Sequence, residues 1–564
     1  MTRLFAIPLG VLTALVLATN GFAVATTDSQ VTVGSPPTPF PQNKQNEPAL
    51  AVDASHPNVL VSGSNDEIDL APCNLTKCPF TPGVGVSGVY FSFNSGKTWT
   101  QPTYTGNTAR DCAPDTACSA HPGAIGTLPW YYENGLVSDG DPALAFGPKP
   151  GPGGGFSWAN GSRLYYANLT SNLSALRSEE AFKGYEAIGV SRTDDVAGAA
   201  AGNKAAWQQP VLVSKQSSTT FSDKEQIWAD NAATSSFFGN VYICWADFRS
   251  NRAAPAPMQV AVSRDGGETW SQQQVTPAAN NTQRNPMDGC TVRTDSKGNA
   301  YVFGVGSFGG STFEYVSTST DGGASWSKQQ AVVGPVTQPG LFDSVLGRPT
   351  IDGIAGARSD LAVAPSVDIA NGAPTGVGAT NRIVMTYVSG TIDQQHVYFT
   401  ESVDGAASFS EPRHIETAGD HGYYTAPAIS PNGNDVYVVY NAFTTPYQYD
   451  TSQPRWLVGV MLHAGSDGVF HQIHRGQPGD ARSSSQNNRL GEFLGDYVYA
   501  VATPTYGAAV WNDSRNGADC PKMDAWRYSL RYGPALTPPA PLHDCPPSSG
   551  KYFGNSDIYA FTSA

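Results

Sequence analysis

Charged residues and long apolar runs are both scarce in this chain of 564 residues. Asp, Glu, Lys and Arg together make up 14% of it, and the formal net charge is −14. Nucleic acids and anionic membrane surfaces attract proteins with basic patches, so neither is an expected partner. After the first 17 residues, no stretch approaches the roughly 18 apolar residues that a membrane-spanning helix needs. The sequence therefore predicts no membrane span.

The sequence also lacks the short motifs of several common enzyme classes. It contains no Cys-x-x-Cys, no Gly-x-Ser-x-Gly and no His-Glu-x-x-His, so zinc ribbons, serine hydrolases and zincin proteases have no support. His471 and His474 lie three residues apart on a predicted strand and would not share a face. We therefore expect no metal ligands and no cofactor, and leave only a structural calcium ion open.

The first 25 residues predict a signal peptide. Arg3 precedes an apolar run from Leu4 to about Leu17, and residues 23–25 form a small-residue cleavage site. The mature protein would then be secreted to the cell exterior or the periplasm. Its eight cysteines suit such an oxidising compartment. Their clustering suggests the pairs Cys73 with Cys78, Cys112 with Cys118, Cys244 with Cys290, and Cys520 with Cys545, although spacing alone leaves other connectivities open.

Four segments share one turn pattern, the Asp box. In each, a Ser is followed two residues later by Asp or Asn, then by Gly, and the segment ends in an aromatic residue. The Asp or Asn side chain would bond the turn amides, Gly permits a positive φ, and the aromatic ring packs beneath the turn. The four segments are Ser92–Trp99, Ser263–Trp270, Ser319–Trp326 and the weaker Ser402–Phe409. Four copies in this order indicate a structural repeat.

The segments between the boxes predict an all-β fold. The 59 glycines, 42 prolines and 11% aromatic residues are typical of many short strands joined by tight turns. Three apolar strands, a box and a fourth strand make one antiparallel blade of a β-propeller, and we count seven units. Residues 26–564 would form a single propeller domain, with Asn516–Gly554 as a loop insertion in the last blade. A strand near residues 31–33 would close the ring.

A binding site is expected on the propeller face away from the boxes, where the loops that follow the second strands meet. Asp247 and Arg249 in one blade are matched by Asp513 and Arg515 in the last blade. Two such Asp/Arg loops facing each other over the central pit would bind a substrate. The alternative is that each Asp forms an ion pair that only orders its own loop.

The boxes, the signal peptide and the blade count resemble the bacterial sialidase and Asp-box repeat superfamily. Six blades are usual there, which keeps six as the alternative count. The resemblance implies three arginines that clamp a substrate carboxylate, a Tyr nucleophile activated by a Glu, and an Asp as acid/base catalyst. Where that family opens its first blade with Arg-Ile-Pro, this chain has Glu47-Pro48-Ala49, so the first arginine of the clamp is missing.

Carried onto this sequence, the resemblance makes Asp66 the acid/base candidate, Tyr424 the nucleophile and Glu492 its partner. Arg348 resembles an arginine at a blade entrance. With the two Asp/Arg loops, the substrate-binding candidates are Arg249, Arg348, Arg515, Asp247 and Asp513.

Three functions fit these features. The first is a secreted glycoside hydrolase acting on extracellular glycans, of the exo-α-sialidase type or specific for a related sugar. The second is a non-catalytic propeller that binds glycans or proteins at the cell exterior, because propellers also serve as binding platforms. The third is another carbohydrate-active chemistry, such as a lyase or a metal-assisted enzyme. The partner expected in the first case is an extracellular glycan or glycoconjugate.

Overall fold

The computed structural model describes residues 27–564, except 76, 115, 117, 181–185, 215, 216, 218, 219, 250–255, 279–283, 354 and 355. The predicted signal peptide lies outside the described residues. Within the described part of the chain, seven antiparallel sheets follow one another along the sequence. The predicted seven-bladed, all-β propeller is therefore confirmed, and the six-bladed alternative does not form.

The blades have the following strands, each written from the central channel outwards. Blade 1 contains Gln45–Val52, Leu60–Asp66 and Ser87–Ser92. Blade 2 contains Leu136–Pro148, Ser162–Asn172, Ala187–Thr193 and Val211–Leu212. Blade 3 contains Thr220–Ala229, Val241–Arg249, Met258–Ser263 and Ser271–Gln274. Blade 4 contains Arg284–Thr294, Ala300–Phe308, Ser311–Ser319 and Gln330–Val336.

The last three blades repeat this order. Blade 5 contains Ser366–Ile369, Ile383–Ser389, His396–Ser402 and Arg413–His414. Blade 6 contains His421–Ile429, Val436–Phe443, Trp456–Ala464 and His471–Arg475, and Gly479–Asp480 pairs with its third strand. Blade 7 contains Tyr499–Ala502, Gly507–Asp513, Asp557–Thr562 and, from the other end of the chain, Ser29–Gln30.

The remaining elements are short and lie between the blade strands. Two ribbons pair Tyr104–Thr108 with His121–Ile125 and Leu341–Asp343 with Arg348–Thr350. The α-helices are Val196–Ala200, Pro521–Tyr532 and Pro541–Asp544. The single-turn 3₁₀ helices are Glu67–Asp69, Tyr132–Asn134, Trp158–Asn160, Arg177–Glu179, Lys204–Ala206 and Ala481–Ser483. None of the described helices has both the length and the apolar character needed to cross a membrane.

The four box segments form the turns that directly follow the third strands of blades 1, 3, 4 and 5. In the first, the Gly96 amide donates to the Ser92 hydroxyl at 2.9 Å and the Thr98 amide donates to the side-chain Oδ1 of Asn94 at 3.0 Å. The same pair of hydrogen bonds recurs in the other three segments. The fourth segment has Ala406 at φ 65° where the others have Gly. The weaker pattern thus reflects a residue that tolerates this left-handed backbone poorly.

The hydrophobic core lies between the blades. The first strands of consecutive blades contact one another all the way around the axis, and blade 7 returns to blade 1. Separate clusters of buried side chains fill the spaces between neighbouring blades, for example between blades 1 and 2 and between blades 2 and 3. Because each blade can bury its two faces only against its neighbours, the ring must close to be stable.

The N-terminal strand closes the ring in blade 7. Ser29 pairs with Ala560 and Gln30 with Tyr559, and the Val31 amide donates to the Ile558 carbonyl at 2.8 Å. The strand thus lies two residues earlier than the predicted position. Its antiparallel pairing makes the first residues of the domain the outermost strand of the last blade.

Four disulfides join the cysteine pairs that their clustering suggests, namely Cys73–Cys78, Cys112–Cys118, Cys244–Cys290 and Cys520–Cys545. Cys244 lies in the second strand of blade 3 and Cys290 in the first strand of blade 4, so this bond links two blades. Cys520–Cys545 holds the two helices of the insertion in blade 7 together.

Candidate functional site

A cavity of about 770 Å³ lies at the end of the propeller axis where the first strands begin. First and third strands of a blade run in the same direction, so this end is opposite the box turns that follow the third strands. Charged side chains dominate the lining, with aromatic rings of Phe80, Phe221, Phe248 and Phe493 between them. A large concave site with a few convergent polar groups is the usual form of a ligand site.

The first strands of blades 1 to 4 share a bulge that turns one residue towards the axis. The register of the strand pairing shifts around Glu47, Asp141, Lys224 and Gly289. All four have positive φ, at 56°, 51°, 61° and 55°. For a residue with a side chain this backbone conformation costs about 1 to 3 kcal/mol, and such residues cluster at functional sites. The bulges bring Glu47, Asp141 and Lys224 into the cavity lining.

Lys224 stands among three carboxylates. Its Nζ lies 3.1 Å from Asp141 Oδ2, 2.9 Å from Asp496 Oδ2 and 3.8 Å from Asp223 Oδ1. Its side chain is only 12% exposed. Although burial opposes the charge, these carboxylates together raise the pKa of Lys224 well above its usual value. The lysine is therefore a fixed positive charge at the centre of the site.

Arg358 is the second cation of this network. Its Nε donates to Asp496 Oδ1 at 2.9 Å, its Nη2 bonds Asp496 Oδ2, and the same Nη2 lies 3.5 Å from Glu47 Oε1. The guanidinium also covers the Phe493 ring at 4.3 Å. Burial would favour the neutral carboxyl, but Arg358 and Lys224 outweigh it and hold the pKa of Asp496 below its usual range.

The carboxyl groups of the cavity differ in their preferred protonation states. Burial raises the pKa of Asp223 to about 7. Burial and the charge of Asp141 raise the pKa of Glu47 well above its usual value. Burial alone would do the same to Asp141, but Lys224 lowers its pKa. The cavity thus holds carboxyl groups that favour the proton beside others that favour the charge.

Asn65 and the Asp496 backbone fix the Glu47 carboxyl group. Asn65 Nδ2 donates to Glu47 Oε2 at 2.5 Å, and the Asp496 amide donates to Glu47 Oε1 at 3.0 Å. The Asp141 backbone amide donates to the side-chain Oδ1 of Asn65 at 2.6 Å. One asparagine at the end of a second strand therefore ties the bulges of blades 1 and 2 together.

Two more ion pairs lie at the cavity wall. Lys44 Nζ contacts Glu67 Oε1 at 2.9 Å, and Arg348 Nη1 contacts Asp360 Oδ2 at 3.1 Å. The described lining holds eight acidic and five basic side chains, an acidic excess of three. A clamp for an anionic substrate needs unpaired cations, but here each deep cation is already paired with a carboxylate and the lining has an acidic excess.

The three predicted catalytic residues lie in different surroundings. Tyr424 is buried, and its hydroxyl donates to Asp496 Oδ1 at 3.0 Å. Asp66 is buried outside the cavity lining and accepts hydrogen bonds from Tyr90 at 2.7 Å and from Ser35 at 2.9 Å. Glu492 is also buried outside the lining, and burial together with the charge of Asp352 raises its pKa. The carboxylate that contacts the Tyr424 hydroxyl is therefore Asp496, whereas Glu492 was the predicted partner.

Of the predicted substrate-binding residues, Arg348 lines the cavity. Arg249 lies 3.5 Å from Asp247 and donates to Gln274 on the outermost strand of its blade at 2.9 Å. Within the described cavity lining, neither member of this Asp/Arg pair occurs.

The second Asp/Arg pair has similar surroundings. Arg515 contacts Asp513 and Asp28, each at 2.7 Å, and covers the Tyr559 ring at 3.9 Å. The cavity lining, as far as the structure describes it, includes neither Asp513 nor Arg515. In both pairs the arginine bonds the aspartate of its own loop, which is the geometry of the loop-ordering alternative.

Lys224, Arg358, Asp223 and Asn65 were not among the predicted site residues, and Glu47, at the opening of the first blade, was predicted without a catalytic or binding role. Lys224 and Asp223 lie in a bulged strand, and no sequence motif marks the position of the bulge. Arg358 lies in a loop outside the blade strands. The signal available for Lys224 was a run of three charged residues, Asp223, Lys224 and Glu225, inside the first strand of blade 3.

No family model matches this sequence, and no curated protein matches it. Among solved structures, a Hadza microbial sialidase is 13% identical with a TM-score of 0.40, covering 70% of this chain and 63% of its own. A leech intramolecular trans-sialidase is 10% identical with a TM-score of 0.40, covering 72% and 66%. The phage phi92 endosialidase is 9% identical with a TM-score of 0.39, covering 95% and 68%.

This chain is similar to these proteins in fold alone. The similarity extends over less than two thirds of the length of the Hadza and leech enzymes. It assigns no activity to this chain.

Proposed function

We propose that the chain is a secreted glycoside hydrolase and that the central cavity binds and cleaves an extracellular glycan. The observation that carries the proposal is the pair Asp223 and Asp141 on either side of Lys224. The pKa of Asp223 is raised by burial to about 7, whereas that of Asp141 is lowered by Lys224 despite burial. Glycoside hydrolysis needs one carboxyl group that gives a proton and one that stays ionised.

The separation of the pair suits this chemistry. Lys224 Nζ lies 3.1 Å from Asp141 Oδ2 and 3.8 Å from Asp223 Oδ1, so these two oxygens are at most about 7 Å apart. Retaining enzymes have carboxyl groups about 5 to 5.5 Å apart, and inverting enzymes roughly 6.5 to 9.5 Å. The upper limit admits the retaining separation and only the lower end of the inverting range. Asp223 would protonate the leaving oxygen, and Asp141 would stabilise or attack the sugar.

The charge of the cavity supports a neutral sugar over a sialoside. Lys224 and Arg358 are both engaged by buried carboxylates, and the lining has an acidic excess. A sialic acid carboxylate would have to displace these partners. The aromatic ring of Phe248 in the lining offers an apolar face for a sugar ring.

The proposed setting is the cell exterior or the periplasm. Four disulfides are stable in an oxidising compartment, which is where a signal peptide would direct the chain.

The test is hydrolysis of a panel of fluorogenic glycosides that includes an α-sialoside. We expect cleavage of an uncharged glycoside, with kcat reduced about 10³-fold in Asp223→Asn and in Asp141→Asn. Asp360→Asn is the matched control, because Asp360 lines the same cavity but lies outside the pair. Because Asp223 must carry the proton, kcat/KM should fall as the pH rises through about 7. Activity that survives both pair substitutions would contradict the assignment.

A non-catalytic, glycan-binding propeller is the second candidate. The observation in its favour is that the deep cations and carboxylates already neutralise one another. Binding on a glycan array, combined with no cleavage anywhere on the panel, would establish this function in place of the hydrolase.

A further inference from the structure

Two histidines and a glutamate meet on the outer strands of blade 5, away from the central cavity. His396 begins the third strand, His414 lies in the two-residue fourth strand, and Glu416 follows two residues later. Tyr398 pairs with His414 in the antiparallel register, and continuing that register places Glu416 opposite His396. Side chains two residues apart on a strand, and directly opposite across a pair, share one face. The pleat therefore brings all three side chains together.

Their ligand atoms converge on one point. His396 Nδ1 lies 2.7 Å from Glu416 Oε1, and His414 Nδ1 lies 3.2 Å from the same oxygen. One atom from each of the three residues lies within 4.8 Å of the others, and the imidazole rings are 4.8 Å apart at 43°. Tetrahedral zinc ligands bound at about 2.0 to 2.1 Å are roughly 3.3 Å from one another. The two nitrogen–oxygen distances are slightly shorter than this ligand spacing and must lengthen to admit an ion.

The surroundings hold the ligands while leaving access to solvent. Glu416 is 7% exposed, and its Oε2 accepts the Val397 amide at 3.0 Å, which fixes the carboxylate. His396 is 35% exposed and His414 64% exposed. A metal with three protein ligands keeps a further position for water or an exogenous ligand.

We propose that His396, His414 and Glu416 bind a divalent transition-metal ion of the Zn²⁺ type. Imidazole nitrogen and carboxylate oxygen are donors that suit Zn²⁺, Cu²⁺ and Ni²⁺, and two imidazoles distinguish the site from an all-oxygen calcium site. The bound ion links the third strand of blade 5 to the two-residue fourth strand and to the segment that leads into blade 6. Its effect is to anchor the shortest outer strand that follows a box turn.

The test is calorimetric titration of the full chain with ZnCl₂, followed by thermal unfolding with and without Zn²⁺. We expect saturable binding, an increase in Tm that EDTA reverses, and affinity at least about 10-fold weaker in His414→Ala, His396→Ala and Glu416→Gln. The exposed position of His414 makes His414→Ala the variant least able to disturb folding.

The matched control is His463→Ala in blade 6. His463 Nε2 lies 2.9 Å from Asp435 Oδ1, so it forms a similar imidazole–carboxylate pair, but no third ligand joins it among the described residues. Binding retained in His463→Ala and lost in the three variants supports the site. No saturable Zn²⁺ binding, or binding that His414→Ala and His396→Ala leave unchanged, overturns it.

Discussion

Single residues in the left-handed backbone region determine the chemistry of the cavity. Glu47, Asp141 and Lys224 place titratable side chains at the centre of the ring. The backbone strain at each of these residues is offset by contacts that only the closed ring supplies. Their placement is specific, because shifting a strand by one residue would turn the charge to the other face.

The residue that the network depends on most is Lys224. Its removal leaves Asp141, Asp223 and Asp496 without their shared cation, and breaking a buried ion pair costs about 3 to 5 kcal/mol. We expect Lys224→Met to lower the free energy of unfolding by about 3 kcal/mol in urea denaturation. Adding Asp141→Asn to Lys224→Met should restore part of the loss.

Lys522→Met is the control for this experiment, because Lys522 pairs with Asp544 at the surface, where its side chain is 66% exposed. It should change stability little. Equal effects of the two lysine substitutions would mean that the central network contributes no special stability.

Among the structural elements, the box turns follow from the local sequence, whereas the strand bulges and the helix of the insertion do not. The turn after the third strand depends on side chains within eight residues, and the sequence predicts it in blades 1, 3, 4 and 5. The bulges and the helix Pro521–Tyr532 in the insertion of blade 7 were not predicted. The bulges cannot be predicted from the sequence because a single extra residue hardly changes the pattern of apolar residues along a strand.

The disulfide between blades 3 and 4 closes the longest of the four loops. Cys244 and Cys290 are 46 residues apart, whereas Cys112 and Cys118 are 6 apart. In the chain-entropy account, the first bond stabilises by about 4 kcal/mol and the second by about 2 kcal/mol. Replacing both cysteines of a pair by Ser should therefore lower the denaturation midpoint more for Cys244 and Cys290. The opposite order would show that loop length does not govern these bonds.

The whole molecule is a ring that the two ends of the chain close together. Val31, directly after the closing strand, is fully buried in the cluster between blades 1 and 7. Val33, two residues later, is 49% exposed. Closure therefore depends on a few residues at the start of the domain.

We expect Val31→Ala to lower the free energy of unfolding by about 2 kcal/mol, since it removes buried methyl groups and leaves a cavity. Val33→Ala is the matched control and should change it by less than about 0.5 kcal/mol. Denaturation followed by tryptophan fluorescence provides the measurement. Similar losses in the two variants would argue that the closing strand contributes little to the stability of the ring.

The sequence by itself determined the seven-bladed repeat and the face that carries the cavity. Four of the blades have a box turn whose hydrogen-bond partners lie within a few residues, and strand alternation follows from local polarity, so both are readable along the chain. The chemistry of the cavity was decided by the tertiary structure alone. Asp496 meets Arg358 from 138 residues away, Lys224 from 272 and Glu47 from 449. Ring closure brings these groups together in a low-dielectric space, and that space sets which carboxyl groups keep a proton.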